Sequence, residues 1–159
     1  MSLLDKELVK RVEKVLKDFN QSFKVIVLDN NARTARDAAT ALSCDVGAIV
    51  KSLLFKTEDS FTLCLVSSDK RCSLNKLNKL KNKKNISMVS PEDVKTQTGY
   101  TTGGVSPVGH LNKIEIFIDK SLKRFNNIFA AVGHPNCVVE INFMNIQKIT
   151  NGKIEDIIE

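Results

Sequence analysis

Apolar residues recur at helical spacing through the first twenty positions. Leu4, Leu8, Val12, Val15, Leu16 and Phe19 share one side, while Lys6, Glu7, Lys10, Arg11 and Glu13 fall elsewhere, which predicts an amphipathic helix. Residues 23–28 form a short β-rich run, and Asp29-Asn30-Asn31 breaks it. Thr34 then stands as the N-cap of a second helix whose small face, Ala35, Ala38, Ala39 and Leu42, can lie close against a sheet. That helix should end within residues 43–45. Residues 46–55 are mostly apolar and pair, through a turn at 57–60, with the alternating run 61–66. Ser68 is read as the cap of a third helix with Leu74, Leu77 and Leu80 as its inward stripe. Residues 86–89 make another short strand, and Ser90-Pro91-Glu92-Asp93 carries the cap, the N1 proline and the acid of a helix start.

A glycine-rich segment follows, and then Ile114, Ile116 and Ile118 at strand spacing. A short helical segment around Leu122 to Phe125 precedes two strands, 128–132 and 137–141, joined by Gly133-His134-Pro135-Asn136. Met144, Ile146 and Ile149 supply a terminal helix, and Ile154, Ile157 and Ile158 an irregular end. The chain shows no repeat or linker. The expected architecture is α/β of the α+β type: five to seven strands in one mixed, mostly antiparallel sheet or open barrel, surrounded by helices, in one domain spanning 1–159.

Composition narrows the partners. At 159 residues and 42% hydrophobic content, one domain with a real core is expected and two are not. A net charge of +6 and a pI near 9.2 favour a polyanionic partner, most simply nucleic acid. Cys44, Cys64, Cys72 and Cys137 show no Cys-x-x-Cys spacing, and no N-terminal apolar run suggests a leader, so a reducing cytoplasm is expected. His134 and Cys137 are two ligands where zinc needs three or four; no metal or other cofactor is expected. No segment approaches the roughly 20 apolar residues that cross a bilayer, so no membrane partner is expected.

Three features carry candidate chemistry. The segment 99–110, Gly-Tyr-Thr-Thr-Gly-Gly-Val-Ser-Pro-Val-Gly-His, has two adjacent glycines and a stiffening proline. Its amides can bind a carbonyl or phosphate oxygen at the mouth of a sheet, or its glycines merely satisfy turn geometry. Lys51 is the one charge among Ile49, Val50, Leu53, Leu54 and Phe55, and it either snorkels to the rim or is partly desolvated. Lys70, Arg71, Lys76, Lys79, Lys81, Lys83 and Lys84 make the third helix the most basic part of the chain, with Asp69 as its nearby acid. Such a face is either solvated or a phosphate contact. His134 and, more weakly, His110 have the ordinary pKa of an acid or base.

The order of these signals resembles the YbaK/EbsC family of trans-acting aminoacyl-tRNA editing domains over most of the chain. The resemblance rests on Thr34 before an alanine-rich helix, on Val50-Lys51-Ser52-Leu53-Leu54-Phe55, and on Ser68-Asp69-Lys70-Arg71. It continues through Gly103-Gly104-Val105-Ser106-Pro107, which matches the family's Gly-x-x-x-Pro loop, then Ile118-Asp119 and Gly133-His134. It implies hydrolysis in trans of the ester of a mischarged tRNA, as in the editing domain inserted into some prolyl-tRNA synthetases. Lys51 is similar to the family's essential lysine and takes the catalytic place. Gly103, Gly104, Val105, Ser106, Pro107, Asp119, Gly133 and His134 are the implied substrate contacts. Lys70, Arg71, Lys76, Lys79 and Lys83 would hold the tRNA, and a synthetase is a possible partner. Family members act on cysteinyl-, alanyl-, seryl- or threonyl-tRNA, which leaves the amino acid open. Two other classes stand beside this one: a noncatalytic RNA-binding module, and a thiol enzyme using one of the cysteines with a histidine.

Overall fold

A computed structural model describes residues 2–29, 32 and 34–159. The break expected at Asn30-Asn31 lies outside the described residues. The elements follow as α1 (Glu7–Phe19), β1 (Val25–Val27), α2 (Ala35–Leu42), β2 (Val50–Lys56), β3 (Phe61–Ser67), α3 (Leu74–Lys81) and β4 (Ser87–Met88). Then come α4 (Pro91–Thr98), β5 (Glu115–Asp119), β6 (Ile128–Ala131), β7 (Cys137–Ile141), α5 (Phe143–Thr150) and β8 (Lys153–Glu155).

Local chemistry sets most boundaries. In α2, the Thr34 hydroxyl accepts from the Asp37 amide at 3.0 Å while the Asp37 carboxylate accepts from the Thr34 amide at 3.3 Å, a reciprocal cap. Ser90 caps α4 and Pro91 takes its first turn, as the sequence indicates. The cap of α3 is Ser73, not Ser68. The Ser68 amide and hydroxyl both donate to the Ile49 carbonyl, so residues 68–72 form a turn folded back on β2 before the helix begins. Of the expected stripe on α3 only Leu77 is buried; Leu74 and Leu80 face solvent.

The strands make two sheets where one was expected. In the first, β1-β7-β6 is antiparallel throughout. In the second, β4-β2-β3-β5-β8, the β4-β2-β3 part is antiparallel, and β3-β5 and β5-β8 are parallel. The sheets meet at a bridge between Ile49 and Phe129, and neither closes into a barrel. The supposedly irregular end supplies β8, whose Ile154 pairs with Ile118.

Side-chain alternation along β2 divides the interior. Val50 and Leu54 enter the main core with Val9, Val12, Leu16, Leu63, Leu65 and Ile118. Leu53 and Phe55 point to the opposite face, against Cys64, Leu77, Phe117 and Ile157. A third cluster forms under α2, where Ala38 and Ala39 are small enough to let the helix approach Ile49, Phe129 and Val138. Among the described residues no helix is long and apolar enough to cross a membrane.

Candidate functional site

At the seam of the two sheets lies a cavity of about 320 Å³. Its apolar wall comes from Ala35, Ala38, Ile49, Phe129 and Val138, and its polar groups from Thr34, Lys51, Ser52, Ser68 and Thr102. Among the described residues the lining holds no carboxylate or imidazole.

Lys51 is half-buried in β2, and its Nζ donates to the Lys70 carbonyl at 2.6 Å. One strand position further, the Ser52 hydroxyl is shielded from solvent and has no hydrogen-bond partner among the described residues. An unpaired buried hydroxyl costs free energy, so a ligand atom that engages it is favoured. In the sequence Ser52 is one position of an apolar run; strand alternation sets it with Val50 and Leu54, on the side away from Lys51, and the fold pairs it with Leu65.

The glycine segment is shaped by its own bonds. Tyr100, fully buried, places its hydroxyl 2.8 Å from the Val108 carbonyl and 3.0 Å from that of Gly109. The Val108 amide donates to the Ser106 hydroxyl, and the His110 Nε2 lies 2.6 Å from the Ser106 carbonyl. Gly104 donates to the Thr101 carbonyl and accepts from the Gly133 amide. A Cβ on Gly104 would stand 3.1 Å from the His134 Cα and N, so the loop and the β6–β7 turn meet backbone to backbone. Among the described residues the amides of Val105 and Ser106, both buried, meet no acceptor.

The structure therefore brings Lys51, Gly103 and Val105 to the cavity wall, while Gly104, Ser106, Pro107 and Gly133 shape the loop behind it. His134 is outside the wall: its Nδ1 accepts from the Asn136 amide, and burial with the Lys6 charge lowers its pKa. His110 is also lowered, chiefly by burial, so the surroundings of both rings favour the neutral form. Asp119 is fully buried away from the cavity, where it accepts from the amides of Ser121 and Ile157 and from the Ser121 hydroxyl. Its place after a strand suited a ligand and an anchor equally well, and the fold uses it as an anchor. Cys137 is buried, with its pKa raised by that burial, which leaves no nucleophile beside His134.

The basic helix is also less free than its sequence suggests. Lys76 pairs with Asp156 and the Ile158 carbonyl, Lys81 with Glu115, and Lys83 with Asp59. These acids are remote in sequence, so the excess of charge was invisible as pairing. Arg71 and Lys79 are exposed and carry no ion pair among the described residues. Near the cavity rim, Arg124 binds Asp69 bidentately at 2.8 and 3.1 Å and also donates to the Ser67 hydroxyl. The Arg124 guanidinium holds the Asp69 carboxyl down at about 2.

The family profile described as Aminoacyl-tRNA editing domain matches residues 29–149. The chain is 28% identical over 146 residues to the uncharacterized protein YwhH of Bacillus subtilis (strain 168), covering 92% of this chain and 93% of that protein. It is 29% identical over 110 residues to the proline–tRNA ligase of Thermosipho melanesiensis, covering 69% of this chain but 19% of the ligase. Among solved structures, that of a proposed trans-editing enzyme for prolyl tRNA synthetase superposes with a TM-score of 0.92 at 32% identity, covering 97% of this chain and 98% of that one.

Proposed function

This chain belongs to the aminoacyl-tRNA editing domain family, and from that premise we propose that residues 1–159 fold as a single editing domain that hydrolyses mischarged aminoacyl-tRNA in trans. The observation that supports the reading is a small apolar cavity whose wall carries Lys51, held among the described residues by the Lys70 carbonyl, and Val105, whose amide meets no acceptor among the described residues.

In this reading the aminoacyl group occupies the apolar cavity and the 3′-terminal adenosine lies at its mouth. Water adds to the ester carbonyl carbon, the bond to the ribose oxygen breaks, and the ribose oxygen takes up the proton. Among the described residues the lining offers a lysine and hydroxyls and no carboxylate or imidazole, so the protein works by position and charge. Lys51 leaves the Lys70 carbonyl for the substrate carbonyl or the adjacent phosphate. The amide of Val105 receives the negative charge that develops on oxygen, with Ser106 next to it in the loop. The terminal ribose hydroxyl orients the water. Arg71 and Lys79 are exposed cations suited to tRNA phosphates, and the acceptor end is the part of the tRNA that reaches the cavity. The kinship with proline–tRNA ligases makes a prolyl-tRNA synthetase the fitting companion.

The test is release of amino acid from a panel of alanyl-, cysteinyl-, seryl- and threonyl-tRNA by the wild-type protein and by Lys51→Ala. Selective release that depends on Lys51 is expected and would name the substrate. Folded wild-type protein that binds tRNA but releases nothing would make this an RNA-binding module instead.

A further inference from the structure

Beyond Ile49 and Phe129 the two sheets part, and the strands on either side of the gap, β2 and β6, turn backbone groups into it. The alternation of an antiparallel ladder fixes which ones. On β2 the Ser68 amide donates to the Ile49 carbonyl, so Ile49, Lys51, Leu53 and Phe55 spend their backbone bonds on β3. Val50, Ser52 and Leu54 therefore aim theirs at the opposite edge, where the Val89 amide donates to the Leu54 carbonyl. On β6 the Val132 amide donates to the Cys137 carbonyl, so Ile128, Ala130 and Val132 face β7, and Phe129 and Ala131 face β2.

A parallel bridge joins these edges at Ile49 and Phe129 and goes no further. The next rung would join Lys51 to Ala131 through the Ser52 amide, and the one after it would bring the Gly133 amide to the Ser52 carbonyl. Neither forms: no bridge follows at Lys51 and Ala131, and the Gly133 amide is turned to the Gly104 carbonyl at 3.0 Å. Among the described residues the Ser52 carbonyl has no donor, and the Ala131 carbonyl points across the gap from the other edge. Both residues are half-buried and line the cavity. A half-buried carbonyl without a partner favours a ligand that brings a donor.

We propose that this split edge is the subsite for the α-ammonium group of the aminoacyl ester, held by the main-chain carbonyls of Ser52 and Ala131. The assignment rests on the reading of the cavity as the place of the aminoacyl group. An α-amine has an ordinary pKa of about 7.7–8.0, so at neutral pH it is a cation that must be matched wherever it is enclosed. Among the described residues the lining has no carboxylate to match it, which leaves carbonyl oxygens at the edge as the acceptors of complementary charge. Lys51 does not compete for them: its side chain leaves the face of β2, not its edge, and its ammonium is taken by the Lys70 carbonyl. The carbon that bears the amine also bears the ester carbonyl, so a substrate anchored here presents its scissile bond to the wall that carries Lys51 and Val105. Main-chain oxygens then read the part that all amino acids share, and Ala38, Ile49, Phe129 and Val138 are left to read the side chain.

The experiment uses two probes that carry an amide in place of the ester and are not turned over. One is 3′-deoxy-3′-(L-alanylamino)adenosine, whose alanyl group is small enough for a cavity of about 320 Å³; the other is its L-lactoylamino counterpart, with a hydroxyl in place of the ammonium. Each is titrated into the isotope-labelled full chain at neutral pH and followed by triple-resonance NMR, which reads every carbonyl carbon separately. The alanyl probe should bind about 10- to 100-fold more tightly than the lactoyl probe, the difference made by charge-assisted hydrogen bonds, and should shift the Ser52 and Ala131 carbonyl signals. Equal Kd values for the two probes would overturn the subsite. So would an alanyl probe that leaves both carbonyl signals in place, or one that does not bind at millimolar concentration. The outcome is separate from that of the deacylation panel: a protein that releases no amino acid but prefers the alanyl probe keeps the subsite and loses the catalytic reading, and one that deacylates but binds both probes alike does the reverse.

Discussion

Replacing Gly104 with alanine probes the contact that fixes the cavity's loop wall. The new Cβ would lie 3.1 Å from the His134 Cα and N and 3.2 Å from the Gly133 carbonyl carbon. Carbon contacts are optimal at about 3.5–4.0 Å, so the loop and turn must part by roughly half an ångström. Both neighbours are backbone, and neither can rotate away. Retreat is blocked on the far side as well, because a Cβ at Gly133 would stand 2.9 Å from the Leu8 carbonyl carbon, which shows how closely that turn already presses α1. The shift also stretches the 3.0 Å bond from the Gly133 amide to the Gly104 carbonyl. Overpacking of this kind costs about 1–3 kcal/mol, and at this chain length each kcal/mol lowers Tm by about 2–4 °C. A fall of about 5 °C is expected in thermal unfolding followed by circular dichroism, together with a slower deacylation because Gly103 and Val105 move with the loop. A variant whose Tm stays within about 1 °C of wild type, with the urea m-value unchanged, would show that the two turns are not locked together.

Further expectations concern the polar network. Asp119→Ala should lose about 3 kcal/mol in urea unfolding, since it strips a buried carboxylate from two amides and a hydroxyl, yet keep its rate per folded molecule; a large drop in kcat at intact stability would return Asp119 to the site. The Asp69 carboxyl is held down at about 2, so the stability it contributes is complete above its unfolded value near ~3.9 and is lost as pH falls through about 2. The stability difference between wild type and Asp69→Asn should therefore be flat above about pH 5 and shrink between about pH 4 and 2, and a difference that is constant across that window would contradict the pairing. Lys79→Glu and Arg71→Glu should each weaken tRNA binding and flatten its salt slope by about 1 in a filter-binding titration, whereas Lys81→Met should lower stability instead, because its ammonium already sits 2.7 Å from Glu115. Equal effects on binding from all three would mean that the helix presents a uniform phosphate contact.

The order of elements was legible because each announces itself locally. Periodicity gave α1 and the strands, Thr34 and Ser90 marked helix starts, and Lys51 stood out as one charge in an apolar run. What depends on contacts between distant segments was not. Two sheets cannot be told from one when β3 pairs in parallel with β5 across a long connection. Ser68 and Ser73 are equally good caps in sequence, and only the Ile49 carbonyl, which engages Ser68, separates them. The lysines of α3 looked unopposed because Asp59, Glu115 and Asp156 reach them through the fold. Asp119 looked like a ligand because a buried carboxylate that anchors a turn and one that meets a substrate share the same sequence signature. The cavity itself, with α2 as a wall and Ser52 unpartnered inside it, exists only once β2 and β6 lie side by side.

The most direct measurement is the single-turnover rate of deacylation at saturating enzyme for wild type and Lys51→Ala, on the aminoacyl-tRNA that the panel selects, with the Kd for tRNA measured alongside. Loss of one positioned electrostatic donor should slow the step by about 100- to 1,000-fold while Kd stays within about threefold. A folded Lys51→Ala protein that deacylates at the wild-type rate would contradict the assignment of this cavity as the editing site.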